Sequence, residues 1–584
     1  MSETENTGGM VQHSAELERI IRLPRRVWTP ADLERLVAEM SAAHRTTHGT
    51  QTLRPLQAQA LAEAVCWKGA TVWIPVGGGK TLVSGLLPRM FRDVKRPLIL
   101  VPSALVRKTE EELQAYRKDW VLPGLLKVKG YQALSRVEQA DFLDAYCPDL
   151  IVADEADFLK NESAAVTRRV RRYRRAHPEC VFVPMSGTPW DRSILEIAHL
   201  TFDALPRTNP LPATRLAADE WSRALDSDVA ENRRLAPGAL QAFARPDEEV
   251  RSAFQRRFYE TPGVIMSLDP PLAIPLEIRS HVVPTDSAQD QAFAQLRKTW
   301  KTPDGIDVED GVAMWRHTRE IATGFYSVWD PRAPTDWREA RSAWARECRE
   351  VLATNRRQLD SELQLCNAID AHPEWYPLAG ILLNAWREIA PTFKPNPVPV
   401  WISDRTLEWV AEWAAKSPGL IWTDRPAVGE RLAAKFGIPY YGEMGINAAT
   451  GRYVEAHLAR EGSIVLSRPA NDTGRNLQYQ WSRNLVIDVM PSGRKWEQCI
   501  GRSHRPGQEA ERVTFDLLVG CVEDATAFDK AFHRNVWAQT MSGQARKLPH
   551  ATVVQVLDAE DADDLYHPET GAQWRKSRPP SNEP

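Results

Sequence analysis

Short, uninterrupted apolar runs recur in this chain in two separate sets, and that pattern restricts the fold more than any other feature. A strand covered on both faces is apolar at successive positions, whereas a strand with one wet face alternates. The first set comprises residues 70–76, 97–102, 126–130, 149–153 and 181–185. The second comprises 419–423, 438–441, 463–467, 484–489 and 513–519. Helical periodicity fills the intervals, with helices expected at 402–416, 426–436, 450–460 and 494–503 in the second set. Each set predicts a doubly wound α/β unit built on a parallel sheet. Residues 206–395 differ: they are rich in Arg, Glu, Ala and Trp, carry few strand signals and are punctuated by proline at 261–275 and 391–399. They read as a mainly helical insertion. The expected layout is an N-terminal extension (1–45), a first lobe (46–205), the insertion (206–395), a second lobe (396–540) and a tail (541–584) disordered at its end. At 584 residues the chain exceeds a single core, since domains average ~150 residues.

Two of the apolar runs lead into chemistry. Residues 74–81 read Ile-Pro-Val-Gly-Gly-Gly-Lys-Thr, and residues 154–157 read Asp-Glu-Ala-Asp. Glycines 77, 78 and 79 let the backbone curl and turn its N–H groups toward phosphate oxygens. Lys80 is placed to reach the β- and γ-phosphates, and the Thr81 hydroxyl to ligate Mg²⁺. Asp154 is expected to hold that Mg²⁺ through water, and Glu155 to orient or deprotonate an attacking water. This combination points to binding and hydrolysis of a nucleoside triphosphate, with ATP and Mg²⁺ as cofactors. Ile74 stands where the strict phosphate-loop pattern has glycine.

The remaining composition excludes more than it assigns. The seven cysteines lack Cys-x-x-Cys spacing, which argues for a reducing compartment without a disulfide framework or zinc site. No apolar run approaches the ~20 residues that span a bilayer. The polar, acidic start is unlike a secretory signal, so a cytoplasmic location is expected. A net charge of −3 neither requires nor forbids a nucleic-acid partner, which needs only a local basic surface. The 21 tryptophans read as packing residues in preference to base-stacking ones.

Further segments, taken in order, resemble the Swi/Snf-like branch of superfamily 2 helicases. Leu-Arg-Pro-Leu-Gln (53–57) is similar to its adenine-side motif, 74–81 to motif I and 98–106 to motif Ia. Asp154-Glu155-Ala-Asp with Lys160-Asn161 matches motif II, and Ser186-Gly187-Thr188-Pro189 matches motif III. Gly419–Asp424 is similar to motif IV, and 466–477 to motif V. Gln498-x-x-Gly501-Arg502-x-His504-Arg505-x-Gly507-Gln508 matches the long motif VI. Ser-Gly-Thr-Pro and His-Arg-Pro-Gly-Gln separate the chain from the RNA helicases named for Asp-Glu-Ala-Asp. The resemblance covers about 55–520 and implies two RecA-like lobes that hydrolyse ATP and translocate on double-stranded DNA. It implies that Gln57 bonds the adenine, that Gln498 contacts the γ-phosphate or bridges to the lobe interface, and that Arg502 and Arg505 act as arginine fingers, with His504 as a link to motif III. It implies that Ser186, Thr188, Gly474, Arg475 and Asn476 couple ATP to DNA. Asn471 and Asp472 replace the glycines usual in motif V, setting an acid where a DNA phosphate would be repelled, with Arg475 in reach to compensate.

A strand-separating helicase on DNA or RNA is the second reading, and an ATP-gated nucleic-acid-binding scaffold with little turnover is the third. One more feature stands apart from the motifs: six arginines at 168, 169, 171, 172, 174 and 175. On a helix they spread over more than half the circumference, which favours a solvated face over a phosphate-binding stripe.

Overall fold

A computed structural model describes residues 9–26, 28–75, 77–268, 272–308, 311–354, 359, 361–472 and 474–555. The ends, 1–8 and 556–584, lie outside the described residues, and with them the expected disordered end of the tail. The fold is α/β with two parallel sheets. It divides into two compact units. The first comprises Met1–Pro270, Cys348–Pro373 and Arg534–Arg546; the second comprises Pro271–Glu347, Glu374–His533 and Lys547–Pro584.

In the first unit the strands are β1 (Thr71–Trp73), β2 (Pro97–Val101), β3 (Lys127–Gly130), β4 (Leu150–Asp154), β5 (Val181–Met185) and β6 (Val264–Met266). Their order is β3-β2-β4-β5-β1-β6, and every pairing is parallel. The apolar runs are explained by the two faces: Ile151 and Ala153 of β4 enter one core, while Leu150 and Val152 enter the other. Five strands lie where the runs predict them. β1 is shorter than 70–76 because the chain leaves the sheet at Ile74 to begin the glycine loop. β6 was not expected, since it sits in the proline-rich stretch of the presumed insertion.

A buried ionic hub fixes β6. Glu63 receives both Nε and Nη2 of Arg26, the Trp28 indole N–H and the Gly263 backbone N–H. Arg26 also donates to the carbonyls of Tyr259 and Thr261. A charge this buried persists only when its partners are complete. The expected extension 1–45 is therefore part of the first unit, as is 206–268.

In the second unit the strands are β7 (Leu276–Val282), β8 (Phe325–Trp329), β9 (Pro397–Trp401), β10 (Leu420–Thr423), β11 (Tyr440–Tyr441), β12 (Ile464–Ser467), β13 (Arg483–Val486), β14 (Val513–Val519) and β15 (Thr552–Gln555). Seven form a parallel sheet in the order β11-β12-β10-β13-β14-β7-β15; β8 and β9 form a separate antiparallel pair. β7 escaped notice because its burial alternates, with Leu276, Ile278 and Ser280 inward. The helix expected at 450–460 is absent: two 3₁₀ turns, Val454–Ala456 and Ala459–Glu461, occupy it. Gly451 and Gly462 at positive φ bracket this stretch, and Glu461 closes it by bonding Arg452 and the Leu458 N–H.

From 215 to 389 the chain is mainly helical, as expected, with seven α-helices among the described residues, from Arg215–Leu225 to Pro377–Ile389. Many of the tryptophans pack, although Trp300 and Trp375 are exposed. Trp337 meets Trp329, Trp386 and Phe393 edge to face, and Trp413 and Trp422 are buried.

Candidate nucleotide-binding site

In the first unit, β1 runs into the glycine loop, and the loop into the helix Lys80–Met90. Gly77 and Gly79 take positive φ, 88° and 80°, which glycine adopts without a side-chain penalty. A Cβ on Gly78 would lie 2.1 Å from Ile74 Cγ2. Two side chains brace the turn: Arg54 Nη1 donates to the Gly77 carbonyl (3.0 Å), and Gln57 Nε2 donates to the Gly78 and Gly79 carbonyls (3.3 Å each). Gln57 Oε1 accepts from the Arg54 N–H at 2.8 Å. The side chain that the resemblance assigns to the adenine is thus engaged at both ends with the loop and its flank. Arg54 had no assigned role, although it lies in the same pentapeptide.

Strand β4 delivers the carboxylates. Asp154 ends the strand, and its Oδ1 accepts from the Glu155 N–H at 3.0 Å. Glu155 takes φ 53°, a conformation costing a residue with a Cβ about 1–3 kcal/mol, which the surrounding structure must hold. Lys80 is only 8% exposed, lies 3.4 Å from Glu155 Oε1 and donates to the Ile74 carbonyl at 3.4 Å. Burial alone would lower the Lys80 pKa, but the charges of Glu155 and Asp154 outweigh it and hold the ammonium above its ordinary value. Burial pushes Asp154 up to about 7 against the pull of Lys80. A second cation beside Asp154 would reverse that shift. Tyr131, which carried no local signal, donates its hydroxyl to the Asp154 carbonyl at 2.8 Å. Thr81 occupies the second position of the helix that Lys80 begins.

β5 lies between the loop strand β1 and the carboxylate strand β4, so the segment after β5 emerges beside both. Ser186 Oγ accepts from the Thr188 N–H (3.0 Å) and stands 3.4 Å from Asp157 Oδ1. Lys160 Nζ donates to the Thr188 carbonyl at 3.2 Å. The first unit therefore gathers Gln57, Gly77–Gly79, Lys80, Asp154, Glu155, Ser186 and Thr188 at neighbouring strand ends, with Asp157 and Lys160 as links.

The second unit gathers another set. The helix Gly493–Ser503 carries Gln498 and Arg502, both buried. Arg502 Nε donates to the Gln498 carbonyl (2.9 Å) and Nη1 to the Arg475 carbonyl (3.0 Å). Arg505 Nη1 donates to Asn476 Oδ1 at 2.7 Å. Arg475 pairs with Glu455 and donates to the Met444 carbonyl at 2.6 Å. Gly474 takes φ 71° at the start of this segment. His504 Nε2 contacts the Ile274 carbonyl at 2.7 Å, and burial lowers its pKa.

The acid set beside a phosphate in the sequence reading is placed differently. Asp472 is buried and pairs with Arg468 Nη1 at 3.0 Å. Burial pushes its pKa upward against the opposing charge of Arg468. Asn471 is buried too, donating to the carbonyls of Tyr441 and Ser467. These two residues are internal struts, and Arg475, paired with Glu455, is not compensating for Asp472.

The arginine run also departs from its expected solvated face. In the helix Ala165–Ala176, Arg169 is 1% exposed and donates to the Leu134 and Arg136 carbonyls; Arg174 is buried and donates to the carbonyls of His177 and Cys180. These two are buried and hold loop backbones together, and Arg168 and Arg172 also donate to backbone carbonyls, those of Leu352, Leu359 and Ala140.

Among the described residues no group of three or more His, Cys, Asp or Glu is placed to hold a metal, and no helix is long and apolar enough to cross a membrane. No protein-family model matches the chain, and no curated protein matches it significantly.

Proposed function

We propose that the chain is a nucleic-acid-dependent ATPase that uses ATP hydrolysis to move along double-stranded DNA. The observation that carries this reading is the meeting of Lys80 with Asp154 and Glu155 beneath a glycine loop at positive φ. ATP supplies the phosphoanhydride to be hydrolysed, and Mg²⁺ would neutralise its phosphate oxygens, with Asp154 and Thr81 as the side chains to hold the ion. The N–H groups at the start of the helix Lys80–Met90 favour anionic oxygens, because the first turn of a helix lacks internal acceptors. Lys80, now paired with Glu155, would exchange that partner for phosphate oxygen. Glu155, so released, accepts the proton of the attacking water, and its left-handed backbone fixes where its carboxylate starts. Asp154 must be ionised to serve a cation, so cation binding releases the proton that burial favours. Arg502 and Arg505 are the groups that the resemblance offers for the transition-state charge, where a planar guanidinium pairs two oxygens at once.

The test is steady-state ATP hydrolysis by wild type and Lys80→Ala, alone and with duplex DNA, single-stranded DNA or RNA. Stimulation by duplex DNA, with a loss of about 10²–10³-fold in the variant, is expected. Stimulation by single strands or RNA alone would replace translocation on duplexes with strand separation. ATP binding without turnover under any condition would overturn the ATPase reading.

A further inference from the structure

The arginines of the helix Ala165–Ala176 that are not buried, Arg168, Arg171, Arg172 and Arg175, line a cavity of about 870 Å³ in the first unit. Three further cations come from other segments. Lys160 follows the carboxylate strand β4, Arg192 follows β5, and Arg215 begins the helix Arg215–Leu225. Against these seven cations the lining has two carboxylates, Glu162 and Glu196, in a chain whose net charge is −3.

Each of those carboxylates is already shared. Glu162 receives both Arg171 and Arg215; Glu196 receives both Lys160 and Arg192. Arg171 has a further partner in Asp203, a carboxylate that also feels the charge of Arg175. Arg192 and Arg215 have side chains 63% and 66% exposed, so the charge continues from the cavity onto its rim. Like charges gathered this closely raise the energy of the folded chain unless an anion offsets them.

We infer that this cavity binds the phosphodiester backbone of a nucleic acid, at a site separate from the glycine loop. A single small anion is served by an enclosed site, whereas here the cations come from four chain segments and extend along an open mouth. A guanidinium suits phosphate because its fork pairs two oxygens. Lys160 ties the cavity to the candidate site: it lines the cavity, donates to the Thr188 carbonyl and lies six residues after Asp154. Backbone phosphates in the cavity would draw on the same lysine that holds the Ser186–Thr188 segment, which offers a route from nucleic acid to hydrolysis. The inference rests on the proposed nucleic-acid dependence and gives it a place.

The test is binding of fluorescent duplex and single-stranded DNA, measured by anisotropy across a salt series, for wild type and Arg175→Ala/Arg192→Ala. Arg22→Ala/Arg35→Ala, which removes two exposed charges elsewhere, is the control, and thermal melts check that all three fold alike. The double variant is expected to lose about 0.9 of the salt slope per lost contact, with weaker binding at 0.1 M salt, unchanged ATPase without DNA and reduced stimulation by DNA. The control should keep the wild-type slope. A wild-type slope in the double variant would overturn the inference and leave the ATPase reading intact. Tripolyphosphate binding that the variant loses while its DNA slope stays unchanged would also overturn it, in favour of a free polyphosphate. Failure of wild type to bind any nucleic acid would overturn the proposed dependence itself.

Discussion

Lys80 in the first unit and Arg502 in the second are both buried cations near a helix of their own unit, but they are employed differently. Lys80 faces carboxylates, Glu155 at 3.4 Å with the charge of Asp154 added, and shares itself with one carbonyl, that of Ile74, at 3.4 Å. Arg502 donates to the carbonyls of Gln498 and Arg475, with the charge of Asp472 also acting on it, and Arg505 donates to Asn476 Oδ1 and the Arg475 carbonyl. A cation held by carboxylates can trade one anion for another at small cost, because charge replaces charge. A cation that satisfies backbone carbonyls leaves them unpaired when it moves, at about 1–3 kcal/mol for each buried group. The first unit thus holds its charge ready for exchange, and the second builds its arginines into the 475–477 segment.

The contrast breaks most readily at Arg502. Arg502→Ala is expected to cost about 1–3 kcal/mol of stability, since the Arg475 carbonyl keeps only the longer bond from Arg505 and a buried side chain is removed from the unit. Denaturant unfolding without nucleotide measures this, and a loss below 0.5 kcal/mol would show that the guanidinium is not a strut. Asp154→Asn should act in the opposite direction. The folded pKa of Asp154 is about 7, above its ordinary 3.8, so the folded state disfavours the ionised form. Wild type therefore loses stability as pH rises through that window, and Asn, which never ionises, does not. A gain on the order of 2 kcal/mol at pH 8, fading toward pH 4, is expected together with loss of hydrolysis. A gain independent of pH would sink the assignment. The smallest effect belongs to Asp472→Asn. Because this acid is internal and paired with Arg468, its replacement should leave DNA affinity and salt slope within about twofold of wild type. Tighter DNA binding would return Asp472 to the surface position that the sequence suggested.

The central strands were legible because burial on both faces leaves a continuous apolar run, as in Leu150–Ala153. The glycine loop and carboxylates were legible because their chemistry needs those residue types at strand ends. β6, β7 and β15 were not, for separate reasons. Three residues are too few for a period, alternation in β7 hid among helical signals, and β15 lies in a segment dominated by its acidic remainder. Bracing residues were harder still. Arg54, Tyr131 and the internal pairing of Asp472 depend on contacts across 20 or more residues, or on burial that no local pattern encodes. The arginine run misled in the same way: a helical wheel counts directions, whereas the loops packed against Arg169 and Arg174 decide which directions are wet.

The three-part composition of the first unit also sets a clock. Its last piece, Arg534–Arg546, places Trp537 against Trp190 in the core and Gln544 on the Trp73 carbonyl, next to the glycine loop. That piece leaves the ribosome more than 260 residues after Pro270 closes the unit's main segment. At about 5–20 residues per second the delay is roughly ten seconds to a minute. Throughout it, the nascent first unit lacks the Trp537 edge on Trp190, which rests on Phe258 alone among its ring partners in that segment, and the strand that feeds the loop is one bond short.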